Sequence, residues 1–117
     1  LMREQKEGCI VNLSSVVAQK GVLGTSAYAA SKAGLDGMIK SIAKENAEKN
    51  ITINNINLGY FETGMINTVP EELQEKIKHE IPFKKFGEVK EIINTIEYLR
   101  TCKYITGTCI HLNGGLI

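Results

Sequence analysis

The sequence predicts an α/β fold built on a parallel sheet, and three observations carry the prediction. Short runs rich in Ile, Val and Leu stand at residues 9–15, 51–58 and 106–115, which suits strands buried on both faces. Stretches whose apolar residues recur with helical spacing lie between them. The resulting order is strand, helix, strand, short helix, helix, strand, and buried strands separated by helices pair in parallel.

Each element follows from its own residues. The polar opening MREQKEG reads as the tail of a helix. A doubly wound fold begins with a strand and a phosphate-binding glycine turn, which this chain does not contain, so further residues are expected before Leu1. CIVNLSS, residues 9–15, is the first strand. The Gly-containing segment AQKGVLGT, residues 18–25, leads into a helix over residues 26–47 with Thr25 or Ser26 as its N-cap. Met38, Ile39 and Ile42 recur there with helical spacing, while Lys40, Lys44, Glu45 and Glu48 take the remaining positions; the helix stops near Asn50. ITINNINL, residues 51–58, is the second strand, and GYFETGM after it is a loop. Pro70 is expected at the first position of a short helix running to Lys78, with Pro82 and Gly87 as punctuation after it. EVKEIINTIEYLRT, residues 88–101, gives a helix with Val89, Ile92, Ile93, Ile96 and Leu99 on one face. TGTCIHLNGG closes the series with a strand of about five residues ended by Gly114 and Gly115.

With 43% hydrophobic and 23% charged residues in 117, the chain has the composition of one ordinary globular domain. Its formal net charge is +1 and its basic residues are spread out, so nothing asks for nucleic acid or an anionic membrane as partner. No apolar stretch nears the roughly 20 residues that span a bilayer, and LMREQKEG lacks the apolar middle of a signal peptide. A cytoplasmic protein is expected. Cys9, Cys102 and Cys109 form no C-x-x-C arrangement and no metal-like spacing with His79 or His111; they read as reduced and structural, and no metal site is expected.

SAYAASKAGLDGMIKSIAKENA, residues 26–47, sets Tyr28 and Lys32 four apart at the start of a helix. Residues at that spacing share a face, about 5–6 Å apart at Cβ, so both reach one pocket. A phenol, with an ordinary pKa near 10, is mismatched to acid–base work at neutral pH unless a neighbouring charge favours its ionised form, and an ammonium does this. A hydroxyl that fixes the substrate oxygen completes such a site, and Ser15, at the end of the first strand, stands where parallel sheets build their ligand crevice. The spacing alone is weak, since this composition gives about 0.4 such pairs by chance.

Context adds the rest. IVNLSS, then thirteen residues from Ser15 to Tyr28, YAASKAGL, GYFETGM, FGEVKEI and YITGTCIHLNGG stand in this order, and the chain thereby resembles the C-terminal half of the short-chain dehydrogenases/reductases. Within that family it looks most like the 3-oxoacyl-carrier-protein and acetoacetyl-CoA reductases, in NTVPEELQEKIKHEIPFKKFG and the terminal NGGLI. The resemblance implies one partial domain over residues 1–117, the catalytic half of a Rossmann-type fold without its glycine-rich cofactor-binding half. It implies an NAD(P)-dependent oxidoreductase that interconverts a ketone and a secondary alcohol, with a 3-oxoacyl thioester as the expected substrate and NADP expected ahead of NAD. Ser15 would polarise the carbonyl, Tyr28 donate the proton, and Lys32 favour the Tyr28 phenolate and hold the nicotinamide ribose. Gly59 and Thr63 match the family's cofactor loop, so the Phe61 backbone and the Thr63 side chain become contacts for the nicotinamide amide and diphosphate. Leu58 stands where the family has Pro, and Val89 where many members have Pro. Residues 64–83 would form a substrate lid. Gly34 and Gly37 lie inside a helix that in the family packs against its counterpart in another subunit, so a homodimer or homotetramer is implied, against tight packing on the chain's own sheet. Ser14 reads as a packing or backbone-bonding residue, and His111 as structural.

Two other readings stand beside this one. Relatives of the family act on sugars and other small carbonyls. Without a glycine-rich turn, the chain also reads as a non-catalytic remnant that serves as a subunit-binding or structural module, and turnover by these 117 residues alone is not expected. A half-sheet exposes an apolar edge where its missing strands pair.

Overall fold

The computed structural model describes all 117 residues. In chain order the elements are α1 (Met2–Gln5), β1 (Gly8–Ser15), α2 (Val17–Lys20), α3 (Ser26–Asn46), β2 (Ile51–Leu58), α4 (Glu71–Glu80), α5 (Val89–Thr101) and β3 (Cys109–Leu112), with 3₁₀ turns at Ala47–Lys49 and Ile66–Thr68. The strands form one sheet in the order β1-β2-β3, parallel throughout. This is α/β architecture, the C-terminal half of a doubly wound, Rossmann-type sheet.

Strand alternation sorts the residues into two layers. On one face Ile39 and Ala43 of α3 pack on Ile53 of β2, flanked by Ile10, Ile42 and Cys109. On the other, Cys9 reaches the α5 layer, its thiol 3.9 Å from the Leu99 carbonyl. Ile39, Ile56 and Leu99 are fully buried, and complete burial of such a side chain contributes about 1.5–3 kcal/mol. β2 is central and buried over Ile51–Asn57. Its asparagines are tolerated there because they bond: Asn54 Nδ2 donates to the Ile105 carbonyl (2.9 Å), and its Oδ1 accepts from Thr108 N–H (3.1 Å), which ties down the approach to β3.

Register sets up the site. Ser15 pairs with Leu58, and Leu58 with Leu112, so the carboxyl ends of all three strands stand level and the loops after them converge. Leu58 holds its place without a proline because the ladder fixes it: its carbonyl accepts from Val16 N–H at 2.8 Å, and the next N–H, of Gly59, donates to Leu112 O at 2.9 Å.

Several local expectations are corrected. The segment after β1 contains the helical turn α2, too short to show any apolar period. Thr25 is the N-cap residue of α3, but its hydroxyl donates to the Val22 carbonyl at 2.7 Å and caps nothing. The buried stripe of α3 is Ile39, Ala43 and Asn46; Met38, one step round the helix, is exposed. Pro70 is the N-cap of α4, which runs two residues past Lys78. On α5, Ile92, Ile96 and Leu99 face inward, whereas Val89 (44% exposed) and Ile93 (61%) do not. Glu88 opens α5 with a capping box, its N–H donating to the Glu91 carboxylate at 2.7 Å.

A side chain at Gly34 or Gly37 would meet nothing within 4 Å, so neither glycine serves packing within the chain. In the unassembled chain Gly34→Ala and Gly37→Ala are each expected to raise stability by up to about 1 kcal/mol, the helix-propensity difference, measured as a higher unfolding midpoint in urea.

Candidate active site

The site begins at the end of β1. Ser15 Oγ accepts the Val17 N–H at 3.2 Å, so α2 fixes the hydroxyl as an acceptor and leaves its proton to donate elsewhere. Ser14, pointing the other way and buried, donates to the Lys32 carbonyl at 3.2 Å. That bond, with β1 as anchor, sets the distance between the strand and the first turns of α3.

Tyr28 lies in the first turn of α3, 49% exposed. One turn on, Lys32 Nζ stands 5.7 Å from the centre of the Tyr28 ring, within cation–π range. The ammonium also donates to the Leu13 carbonyl at 2.9 Å. One of its three protons is thereby used and two remain.

The loop after β2 is pinned from both sides. Glu62 N–H donates to Gly87 O and Gly87 N–H to Tyr60 O, each at 2.9 Å, so Phe61 and Gly87 form a parallel bridge. Glycine suits this position, because a Cβ at position 87 would stand 2.5 Å from the Phe61 ring and force it to move. A Cβ on Gly59 would stand 2.8 Å from Asn113 Cα, so that glycine lets the loop approach the end of β3. Thr63 N–H closes onto the Phe61 carbonyl at 2.8 Å, while the Phe61 N–H donates to no backbone carbonyl.

These parts meet in one cleft of about 360 Å³. Ser15, Tyr28, Lys32, Gly59, Phe61 and Thr63 all line it, and Met65, Ile66, Val69 and Ile77 supply an apolar wall. That wall is the segment 64–83, whose Ile66 and Ile81 form a second small core with Phe86, packed with Leu116. A Lys20–Glu80 ion pair at 2.5 Å links it to α2. His111 is exposed and outside the cleft.

One polar cluster was not legible in the sequence. Asp36, a turn beyond Lys32, accepts from Asn55 Nδ2 (2.6 Å), Asn57 Nδ2 (3.1 Å) and Gln19 Nε2 (3.5 Å), and Asn12 Nδ2 bonds Asn55 Oδ1 at 3.1 Å. Burial by itself raises the Asp36 carboxyl, but the bonds from Asn55, Asn57, Cys109 and Gln19 outweigh it and hold the group below its ordinary 3.8. Burial, and then Asp36 itself, push the Cys109 thiol up to about 11, so this cysteine stays protonated. All three cysteines are free thiols. Asn57 Oδ1 is buried without a partner, an arrangement that costs about 1–3 kcal/mol. The folded state keeps Asp36 ionised to lower pH than the unfolded state does. Its contribution is therefore present above 3.8 and lost as the pH falls through the lower folded-state value. Acid unfolding followed by circular dichroism should show the wild type losing stability below pH 3.8 more steeply than Asp36→Asn.

No helix is long and apolar enough to cross a membrane, and no three His, Cys, Asp or Glu side chains cluster as metal ligands. The family described as enoyl-(acyl carrier protein) reductase matches residues 1–117. The chain is 40% identical over 117 residues to the 3-oxoacyl-[acyl-carrier-protein] reductase FabG of Staphylococcus epidermidis, covering 98% of this chain and 48% of that protein. It is 43% identical to the FabG of Aquifex aeolicus (98% and 47%) and 42% identical to that of Thermotoga maritima (99% and 48%). The chain thus spans about half the length of the curated relatives it matches.

Proposed function

The chain belongs to the short-chain dehydrogenase/reductase family, and from that premise we propose that it is the catalytic half of a cytoplasmic NAD(P)-dependent reductase that converts a 3-oxoacyl thioester to its 3-hydroxy product. The observation that carries the proposal is the single cleft shared by Ser15, Tyr28, Lys32 and the 59–63 loop. The relatives' printed names, all 3-oxoacyl-[acyl-carrier-protein] reductases, support the substrate class, as does the apolar wall of the cleft, which suits an acyl chain.

The chain's groups fit a nicotinamide cofactor. The two remaining Lys32 protons suit ribose hydroxyls, the Phe61 N–H suits the carboxamide, and Thr63 suits the diphosphate, with Gly59 bringing the loop to them. The reduced nicotinamide supplies the hydride. Ser15 would hydrogen-bond the substrate carbonyl oxygen through its free O–H, keeping the proton, and so polarise it; Tyr28 would transfer to that oxygen the one proton it needs to become a hydroxyl; Lys32 would stabilise the phenolate left behind. NADP is proposed ahead of NAD.

The open edge of β1 supports residues 1–117 as one part of a larger domain. Gly8 N–H and Val16 N–H both bond toward β2, so alternation turns the N–H and C=O groups of Cys9 and Val11 outward, while the Leu13 carbonyl at the end of that edge is taken by Lys32 Nζ and the Leu13 side chain is 45% exposed. A strand of the cofactor-binding half pairs there. The exposed face of α3, with Ala27, Gly34, Gly37 and Ser41, suits close packing on a second copy in a homodimer or homotetramer.

The test is to mix the intact protein with NADPH and acetoacetyl-CoA and follow the loss of reduced-nicotinamide absorbance. Steady oxidation with formation of the 3-hydroxy thioester is the expected result. Oxidation with small sugars or ketones but with no 3-oxoacyl thioester would move the substrate class, and no oxidation with any carbonyl would end the reductase reading.

A further inference from the structure

We propose that Asp36 is a positioning residue for Lys32, a role that rests on the reductase reading above. The two are one turn apart on α3, where the helical ladder runs the Asp36 N–H to the Lys32 carbonyl. That same carbonyl takes the Ser14 hydroxyl at 3.2 Å. The sheet therefore grips this turn through hydrogen bonds from two strands: Ser14 of β1 holds its upper end, and Asn55 and Asn57 of β2 hold the Asp36 carboxylate at its lower end, at 2.6 and 3.1 Å. Gln19 adds a contact from α2, the turn that also fixes Ser15.

Apolar packing does less of this work. The fully buried apolar stripe of α3 starts at Ile39, below the Lys32 turn; above it Leu35 is only half-buried, and Ala29, Ala30, Ala33 and Gly34 offer little surface to pack. The half of the helix that carries Tyr28 and Lys32 therefore leans on polar ties. Asn57 illustrates the demand: its amide faces Asp36 even though this strands its own Oδ1 in the interior without a partner. The other groups facing the carboxylate are the Cys109 thiol and, through Asn55, Asn12; none of them is an ion that competes for Lys32.

Removing the carboxylate frees the turn, and the Lys32 ammonium leaves its place between the Leu13 carbonyl and the Tyr28 ring. The experiment compares wild type, Asp36→Asn, Asn55→Ala and, as a packing control one turn below, Ile39→Val, all in the intact protein. Brief reductive methylation with formaldehyde, read by mass spectrometry, gives the labelling of Lys32 relative to Lys44 on the same helix. Asp36→Asn and Asn55→Ala are expected to raise that ratio and to lower kcat/KM by up to about a hundredfold, the scale of an ångström-level misplacement, with the KM for the nicotinamide cofactor rising as well. Ile39→Val should lower the melting temperature without moving the ratio. An unchanged ratio in both network variants overturns the proposal, as does an equal rise in Ile39→Val. If the wild type reduces no carbonyl substrate, the reductase reading fails, and the labelling ratio alone decides whether Asp36 places Lys32.

Discussion

With Tyr28 in the proposed role of proton donor, replacing it by Phe is expected to lower kcat of the intact protein by about 10²–10⁴-fold, the usual worth of such a group, while leaving its unfolding curve in place. The substitution removes one oxygen from a side chain that is half exposed. The ring persists, so the Lys32 ammonium keeps its aromatic neighbour and the Leu13 carbonyl keeps its donor. Binding of cofactor through Lys32 and the 59–63 loop should survive, which puts the loss in kcat and leaves the KM for cofactor close to wild type. Steady-state rates over a range of NADPH concentrations separate the two. Turnover within a few-fold of wild type would remove Tyr28 from the role of proton donor, and Ser15 would be next to examine.

Ile39→Ala is expected to cost about 2–5 kcal/mol, the range for truncating a fully buried aliphatic side chain. Ile39 has no exposed surface and sits between α3 and the sheet, packed with Ala43 and Ile53 and flanked by Ile10, Ile42 and Cys109. The neighbours come from three strands and one helix, so no single shift closes the cavity. Against a total stability of about 5–15 kcal/mol for an ordinary domain, that is a large share. Urea unfolding should show a lower midpoint at an unchanged slope; a loss below about 1 kcal/mol would mean that the helix collapses onto the sheet and the cluster is softer than its burial implies.

The three strands were legible from their β-branched and Leu residues, and β2 matches its expected bounds at both ends; the expected burial on both faces holds only for β2, because β1 and β3 are edge strands here, with Leu13 and His111 exposed. That Tyr28 and Lys32 share a helix face was legible through their spacing, and that Ser15 ends the first strand through the run before it; the roles proposed for them came from the family resemblance. What escaped needed a neighbour that sequence does not display. The single turn α2 has no period to detect. Thr25 had the right residue type for a cap, but the Val22 carbonyl competed for its hydroxyl. Val89 and Ile93 share an apolar spacing with Ile92 and Ile96, yet only the direction of the sheet decides which side of α5 is inward. Asp36 escaped most completely. Its partners Asn55, Asn57 and Gln19 are 19, 21 and 17 residues away in the chain and come into register only once α3 lies across β2. Three asparagines in a buried strand were the available hint, since such amides have to find partners.

The segment that follows β3 has a practical consequence. Asn113 abuts Gly59, Gly114 lies against Ile81, Gly115 against Pro82, and Leu116 joins the cluster of Ile66, Ile81 and Phe86. Residues 113–116 are thus wedged between the cleft's floor and its cover. A side chain introduced at Gly114 or Gly115 would strike Ile81 or Pro82 and pry the two apart.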